Sequence, residues 1–526
     1  MTKVYQHAGA IVFYVLCVLY IVFYMPYGFE GTDTGYIFGS SWNIYNGQLP
    51  HRDFIYTRPA IPAYFHTIFL FISETYGYLL DRSFFYVQVF FYSYLGARLV
   101  TEHFNLPSKN SLYFLAALGA LFSVHNYPPM GWNTIDGVFF CMIGLYLILK
   151  ENSPIWLVIP GSLFLVLGVF SKQSFYFMPI FLFVYLLVRK DYRKVLWYSI
   201  NGGLFVLIYI AFKYATDSLL PFWQQTFERT PASGLLSSGV KVYYLALKFN
   251  LLWIALGSAA LYAVYRWLPG KVGFLLVHLG IAGFMVYIFL NDANSWTRIP
   301  YLFQLLLVAC GLFCVVKLRT NSRYLLLLLL LALSWSAAIS NGYRTPIHFS
   351  LPIIACIYLF FFPAEKEKLS PKLMLPILAL YLGVFYLGHQ TLYRDAERSE
   401  LTYSMGEVFP QLAFIKSDKD TYQKYSQLKE LATQYPNFTV LPSITLAHYL
   451  TGTVNPIGTD WPLDVEINNE GARLVNELEM SNTTVLMETS EFSEKELEGY
   501  EMKALIETHW KKIASHEYFD VYVPRQ

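Results

Sequence analysis

Apolar runs long enough to cross a bilayer recur from the N-terminus to about residue 389, and this constrains the fold more than any other feature. A hydrocarbon core about 30 Å thick takes about 20 mostly apolar residues in a helix. Inside it every backbone amide must find a partner within the structure, which leaves helices or a closed barrel. The runs are continuous and do not alternate, so helices are expected. They fall at 8–26, 82–100, 111–126, 137–150, 154–171, 174–188, 195–213, 242–264, 272–290, 299–316, 324–340, 349–363 and 373–389, thirteen in all. An odd number puts the two ends of the bundle on opposite sides. The run 61–72 is also apolar, but it is short and starts behind Pro59 and Pro62. We expect it to lie in the interface; a full span there would invert everything after it.

Composition agrees. Only 14% of residues are charged, against about a quarter in an ordinary globular protein. The 43 Tyr and 43 Phe suit lipid contact and membrane interfaces. A net charge of +2 offers nothing for a nucleic acid, and the bilayer is the expected partner. The five cysteines (Cys17, Cys141, Cys310, Cys314, Cys356) all sit in apolar runs, as small buried hydrophobes and not as a disulfide framework. The first run is followed by Pro26-Tyr27-Gly28-Phe29-Glu30, with no small-residue cleavage site, and reads as an uncleaved signal anchor.

Charge between the runs sets sidedness. The N-terminus and the even-numbered connections carry Lys3, Arg98, Lys109, Lys150, the cluster Arg189-Lys190-Asp191-Tyr192-Arg193-Lys194, Arg266, Lys271, Lys317, Arg319, Arg323, Lys366, Lys368 and Lys372. The opposite connections hold isolated cations. The N-terminus is therefore expected in the cytoplasm, with the first loop (27–81) and the C-terminal segment outside. A bacterial inner membrane is the expected location. From about residue 390 to 526 the chain is charge-rich and has no spanning run. Helices at 418–435, 468–480 and 494–512 alternate with strands at 438–441, 483–487 and 518–523, which predicts a small α/β domain. The fold class is thus an all-α polytopic membrane bundle, 1–389, with an extracytoplasmic α/β domain, 390–526.

Ionisable groups at membrane depth are costly, about 2.5–3.5 kcal/mol at the centre of a span. Those that gather at one face are candidates for function. On the outward side stand Glu30, Asp33, Asp53 and Arg58 in the first loop, Asp136 at the start of the fourth run, Lys172 after the fifth, Arg298 before the tenth, and Arg344 and His348 between the eleventh and twelfth. Carboxylates and cations on one face suit sugar transfer from a polyprenyl phosphate. The phosphate leaves without being protonated, so one carboxylate acting as general base on the acceptor hydroxyl is enough, and cations stabilise the departing charge. Glycoside hydrolysis needs a second carboxyl as acid. Attack opposite the phosphate inverts the anomeric centre. The non-functional alternatives are helix caps for Asp33 and Asp136, a pair with Arg52 or Arg58 for Asp53, and snorkelling for Lys172.

The chain resembles the C-type-fold (GT-C) glycosyltransferases that use polyprenyl-phosphate-linked sugars, in layout most of all the lipid A aminoarabinose transferases and protein O-mannosyltransferases. The resemblance is carried by Glu30-Gly31-Thr32-Asp33 in the first outer loop, Arg58-Pro59 before the interfacial helix, Asn133-Thr134-Ile135-Asp136-Gly137, and Phe170-Ser171-Lys172-Gln173. It implies Asp33 as catalytic base, with Glu30 and Asp53 as competitors, and Asp136 as a second catalytic carboxylate. It implies Glu30, Asp53, Arg58, Lys172, Arg298, Arg344 and His348 around the substrate. It also implies a polyprenyl-phosphate-linked sugar as donor and a glycolipid, polysaccharide or protein as acceptor. Two departures stand out. Arginine occupies a position where the family often has lysine, and Asp136 lacks the paired acidic motif of the metal-using oligosaccharyltransferase branch. No cofactor is required by the sequence, and a divalent metal has no paired acidic motif to hold it. A transporter or flippase, or a cell-envelope polysaccharide polymerase, is the rival reading. The first would show repeated halves around a midplane site, which are not seen; the second typically lacks a long α/β tail.

Overall fold

The structure is a computed structural model that describes residues 2–29, 32–106, 109–125, 127–228, 232–291, 295–339, 346–362, 371–392, 394–442, 444–467, 470–490 and 500–525. Its first part is helical. In order come α1 (Thr2–Tyr24), α2 (Tyr36–Tyr45), α3 (Ile61–Ile72), α4 (Gly77–His103), α5 (Lys109–Leu121), α6 (Asn133–Leu149), α7 (Val158–Val169), α8 (Met178–Val188), α9 (Tyr192–Ala215) and α10 (Leu219–Trp223). They are followed by α11 (Ala232–Phe249), α12 (Leu251–Trp267), α13 (Gly270–Asn291), α14 (Ser295–Leu318), α15 (Tyr324–Ala338), α16 (Leu351–Phe361) and α17 (Pro371–Gly388).

Every one of the thirteen apolar runs lies on a helix, but length separates them. Among the described residues three helices are long and apolar enough to cross a membrane, Tyr192–Ala215, Gly270–Asn291 and Tyr301–Leu318. The pair Ser238–Phe249 and Leu251–Trp267, bent by 70°, makes a fourth if it counts as one span. Thirteen full-length spans are therefore not reached. Of the other runs, 82–100 lies on the 27-residue α4, and the rest lie on apolar helices with 10–17 described residues, shortened where a proline or a polar residue ends the run, as Pro154 and Lys172 do around α7. On α9, Leu204, Leu207 and Ile208 are half or more exposed, an apolar face of the kind that lipid covers. The segment 61–72 forms the separate 12-residue helix α3, with proline in its first turn, as the Pro59-to-Pro62 spacing predicts.

Two local features bring the candidate residues at the helix ends together. Helices α6 and α7 pack closely because small residues face each other: a Cβ on Gly144 would come within 2.7 Å of the Gly161 carbonyl oxygen. This antiparallel contact sets the N-terminus of α6, with Thr134 and Asp136, against the C-terminus of α7, where Lys172 follows. The start of α3 is tied to the same place, since the Ile61 amide donates to the Phe170 carbonyl at 3.3 Å. Arg58 therefore lies beside Lys172.

The C-terminal segment contains a four-stranded sheet in the order β3 (Phe438–Leu441), β4 (Thr484–Glu488), β6 (Phe519–Pro524), β5 (Trp510–Ser515), after the short antiparallel pair β1 (Tyr403–Ser404) and β2 (Lys416–Ser417). Strands β3 and β4 run parallel, and the other neighbours antiparallel. The helices α18 (Lys419–Gln434), α19 (Ala447–Thr451), α20 (Asp464–Ile467) and α21 (Gly471–Met480) accompany them. The expected helix at 494–512 needs correction. Its first part, 494–499, lies outside the described residues; Glu501–His509 is helical, and Trp510 begins strand β5 instead of continuing the helix to 512. Trp510 is buried while Lys511 and Lys512 are exposed, the uneven pattern of an edge strand, which a helix reading of Lys and Glu residues misses.

The first loop and this segment share a hydrophobic core. Phe29, Phe38, Trp42 and Tyr78 pack with Met405, Tyr425, Tyr449 and Phe519. Polar contacts reinforce it: Trp42 Nε1 donates to the Thr453 carbonyl at 2.7 Å, Thr445 Oγ1 to the Thr32 carbonyl at 2.9 Å, and Tyr449 OH to the Glu74 carbonyl at 2.6 Å. Close approach depends on Gly39, where a Cβ would strike the Thr445 carbonyl oxygen, a backbone atom with little room to yield. Gly39→Ala is expected to cost about 1–3 kcal/mol, the usual penalty of overpacking, and to expose the loop–domain junction to limited proteolysis. Gly202→Ala on α9, with nothing within 4 Å of the added carbon, is the matched neutral control.

Candidate functional site

The loop between α1 and α4 supplies the first groups. Asp33 opens a 3-10 turn, Asp33–Gly35, that runs into α2. The residue at the cap position is Thr32, so Asp33 is not the cap that its sequence permits. Its carboxylate lies 3.7 Å from Arg394 Nη1, which also donates to Thr32 Oγ1 at 3.2 Å. The carboxylate is about 29% exposed and so reachable.

Arg58 precedes Pro59, which keeps its backbone extended. The guanidinium is partly buried, 3.1 Å from Glu466 Oε1 and 4.7 Å from the centre of the Tyr36 ring, with Trp461 on a further side at 5.7 Å. Thr57 Oγ1 donates to the other oxygen of Glu466. Nη1 of Arg58 is buried and makes no hydrogen bond among the described residues. An arginine donor left open in this way is available to a ligand oxygen.

Lys172 donates to Thr134 Oγ1 at 2.8 Å, across the α6–α7 contact. It points into the site and does not snorkel. Burial pushes its ammonium down, Arg58 pushes it further, and Asp33 and Glu466 oppose them, leaving it at about 7. Lys172 is thus close enough to Arg58, Asp33 and Glu466 to sense their charges. His348, in the turn before α16, is buried between Tyr127 and Trp132, its ring centre 5.0 and 4.7 Å from theirs. Burial, and then Lys172, drive its imidazole down to about 3, so it is neutral. Its Nδ1 makes no hydrogen bond among the described residues.

Asp33, Arg58 and His348 therefore all lie within electrostatic range of Lys172. Asp136 stands behind them in a sealed cluster. It is fully buried in the first turn of α6, 3.0 Å from His66 Nε2, and it accepts from Gln88 Nε2 at 2.7 Å. His66 Nδ1 faces Asp81, which also accepts from the Gly131 amide at 3.0 Å. The trio Asp81, His66 and Asp136 ties α3, α4 and α6 together. Trp132 holds the cap position of α6, so Asp136 is not a cap. Asp53 lies elsewhere. It pairs with Arg52 at 2.7 Å, accepts from the Leu49 amide at 2.7 Å, and lines an outer cleft of about 410 Å³ with Gln48, Gln224, Asn455 and Arg473. Glu30, Arg344 and the side chain of Arg298 lie outside the described residues. Among the described residues, no group of three or more His, Cys, Asp and Glu side chains could hold a metal ion.

Sequence reading missed Glu466, Arg394, Thr57 and Thr134. Glu466 sits in a short helix of the C-terminal segment, on no motif and at no span boundary, and only the tertiary contact brings it to Arg58. Arg394 was within reach, being a cation just after the last apolar run, the same signal that marked Lys172. Trp461 packs on Tyr36 and Arg58, whereas His448 and Tyr449 pack inward against Phe438 and Phe38.

Comparison with protein-family models finds no match, and comparison with curated proteins finds none either. Among solved structures the chain is similar to ArnT from Cupriavidus metallidurans. The structure of that protein bound to undecaprenyl phosphate matches at 11% identity over 98% of each chain with a TM-score of 0.43. Its apo state matches at 12% identity over 98% of this chain and 97% of that chain, with a TM-score of 0.44. ArnT is a lipid A aminoarabinose transferase, one of the groups named in the sequence resemblance.

Proposed function

We propose that this chain is an integral membrane glycosyltransferase that moves a sugar from a polyprenyl-phosphate donor to an extracytoplasmic glycolipid, polysaccharide or protein, with inversion. The observation that carries this reading is the convergence of a reachable carboxylate, Asp33, with the cations Arg58 and Lys172 at one end of an apolar helical bundle. Arg58 and Lys172 receive the donor phosphate. Asp33 takes the proton of the acceptor hydroxyl as its oxygen bonds to the anomeric carbon. The bond from that carbon to the phosphate oxygen breaks, and the polyprenyl phosphate leaves with its electron pair, its charge met by the two cations. Glu466 and Trp461 hold the Arg58 guanidinium in place. Asp136 acts as a positioning residue, because it is sealed from the site and sets the α6 terminus that carries Thr134.

In this reading residues 1–389 form the transferase module and 390–526 an extracytoplasmic domain packed on its first loop, in a bacterial inner membrane with the N-terminus in the cytoplasm. A reporter enzyme fused after residue 390 is expected to be active outside the cytoplasm; cytoplasmic activity contradicts this orientation.

Binding of unglycosylated polyprenyl phosphate to the purified protein tests the phosphate site. Lys172 binds phosphate as the ammonium, and in the empty site it loses its proton near pH 7. Binding therefore takes up a proton and weakens as pH rises. Above about pH 7 the phosphate monoester is already fully charged, so the expected fall in affinity, approaching tenfold per pH unit, belongs to the protein. Lys172→Arg, charged at all these pH values, is expected to flatten the profile. A flat profile in the wild type contradicts the assignment of Lys172.

A further inference from the structure

We infer that Lys213 and His51 are positioning residues for Arg58, with Lys213 setting the orientation of the His51 ring and His51 holding the Arg58 backbone. This rests on the reading of Arg58 as a phosphate ligand. His51 Nε2 lies 3.0 Å from the Arg58 carbonyl oxygen, which only accepts, so Nε2 carries the proton. In a neutral ring Nδ1 is then an acceptor, and Lys213 Nζ stands 3.1 Å from it, also 3.4 Å from the Pro50 carbonyl. One tautomer satisfies both ends of the ring. Burial, and then Lys213, push the imidazole down to about 3, so protonation does not scramble that tautomer.

Lys213 ends α9 and is fully buried, and no described carboxylate pairs with it. Its surroundings are the Tyr64, Tyr209 and Phe222 rings, 5.8–6.0 Å away. An ammonium in such a place is costly to keep. Here its directed contacts are the ring of His51 and the carbonyl before it. His51 itself stands at φ +75°, a left-handed conformation unusual for a residue with a side chain, so neighbouring contacts must hold it there. They do so at several points along the strap. Gln225 Nε2 donates to the His51 carbonyl at 3.0 Å, the Tyr56 amide donates to Gln225 Oε1 at 2.9 Å, and Gln173 Nε2 donates to the Thr57 carbonyl at 2.8 Å. The strap from His51 to Arg58 is thus pinned from α9, from the turn after α10 and from the turn between α7 and α8, and the pin on Arg58's own carbonyl is His51.

Equilibrium binding of polyprenyl phosphate to the full chain in lipid nanodiscs, measured for single and double variants, tests this. Lys213→Met is expected to weaken binding about tenfold, the size of one lost hydrogen bond. In an Arg58→Ala background the same substitution is expected to add nothing, since there is no guanidinium left to position. His51→Gln, which keeps a donor toward the Arg58 carbonyl, is expected to weaken binding less than His51→Leu. That pair decides the matter if Lys213→Met does not fold. An equal loss from Lys213→Met with and without Arg58, or equal effects of Gln and Leu at position 51, would mean a purely structural role and overturn the inference. Absence of binding by the folded wild type would instead overturn the functional reading itself.

Discussion

Asp33→Asn is expected to lower sugar transfer by about 10²–10⁴-fold, the range lost with a general base, while polyprenyl phosphate still binds. The amide keeps the size of the carboxylate and an oxygen toward Arg394, 3.7 Å away in the wild type, so the loop keeps its shape. It cannot accept the acceptor proton. Single-turnover transfer with enzyme in excess over donor separates this loss from slow product release. The same measurement on Asp53→Asn distinguishes the competitor in the first loop. Asp53 is engaged by Arg52 and the Leu49 amide on the outer cleft, so its amide variant is expected to transfer at close to the wild-type rate. Full activity of Asp33→Asn would remove it from the role and return attention to Glu30.

Arg58→Ala has the second large expected effect, a loss of about 10²–10³-fold in kcat/KM for the donor, as for other residues that stabilise developing charge. Two consequences combine. The open Nη1 donor disappears, and Glu466, 3.1 Å from the guanidinium in the wild type, then faces the donor phosphate without the intervening cation. Like charges at close range disfavour binding. Glu466→Gln in the Arg58→Ala background is therefore expected to recover part of the lost affinity, although Glu466→Gln alone harms the wild type by loosening Arg58. That sign reversal is a coupling a double-mutant cycle measures directly. Arg58→Lys is expected to fall between, because an ammonium keeps the charge but not the planar fork. Simple additivity of the two substitutions would show that Glu466 and Arg58 do not act on the same ligand.

Much of this arrangement was legible in the sequence, because the membrane makes two rules strict. Apolar length marks each helix, and polar residues at helix ends survive only where something uses them. Those rules singled out Asp33, Arg58, Lys172 and His348 as candidates, and the Pro59-to-Pro62 spacing marked α3. They did not give helix length, since α7 and α16 are shorter than their apolar runs. They also did not separate a residue that faces the site from one sealed behind it. Asp136 and Lys172 flank the same helix contact, yet Asp136 is closed off by His66 and Gln88, and only side-chain packing tells the two apart. Glu466 was invisible for a different reason. It reaches Arg58 from 408 positions away along the chain, from a C-terminal segment whose close approach to the first loop depends on Gly39 and the Thr445 backbone. His51 and Lys213 were hidden likewise, one in a loop and the other at the end of a long apolar helix, where a lysine reads as snorkelling.

The most direct test of the account is release of free polyprenyl phosphate from a panel of polyprenyl-phosphate sugars, by the full chain in nanodiscs supplied with candidate glycolipid, polysaccharide and protein acceptors. The account predicts acceptor-dependent release with at least one donor, with the transferred sugar inverted at its anomeric carbon and the reaction lost in Asp33→Asn. Retention of configuration, or release unaffected by Asp33→Asn and Arg58→Ala, would contradict it.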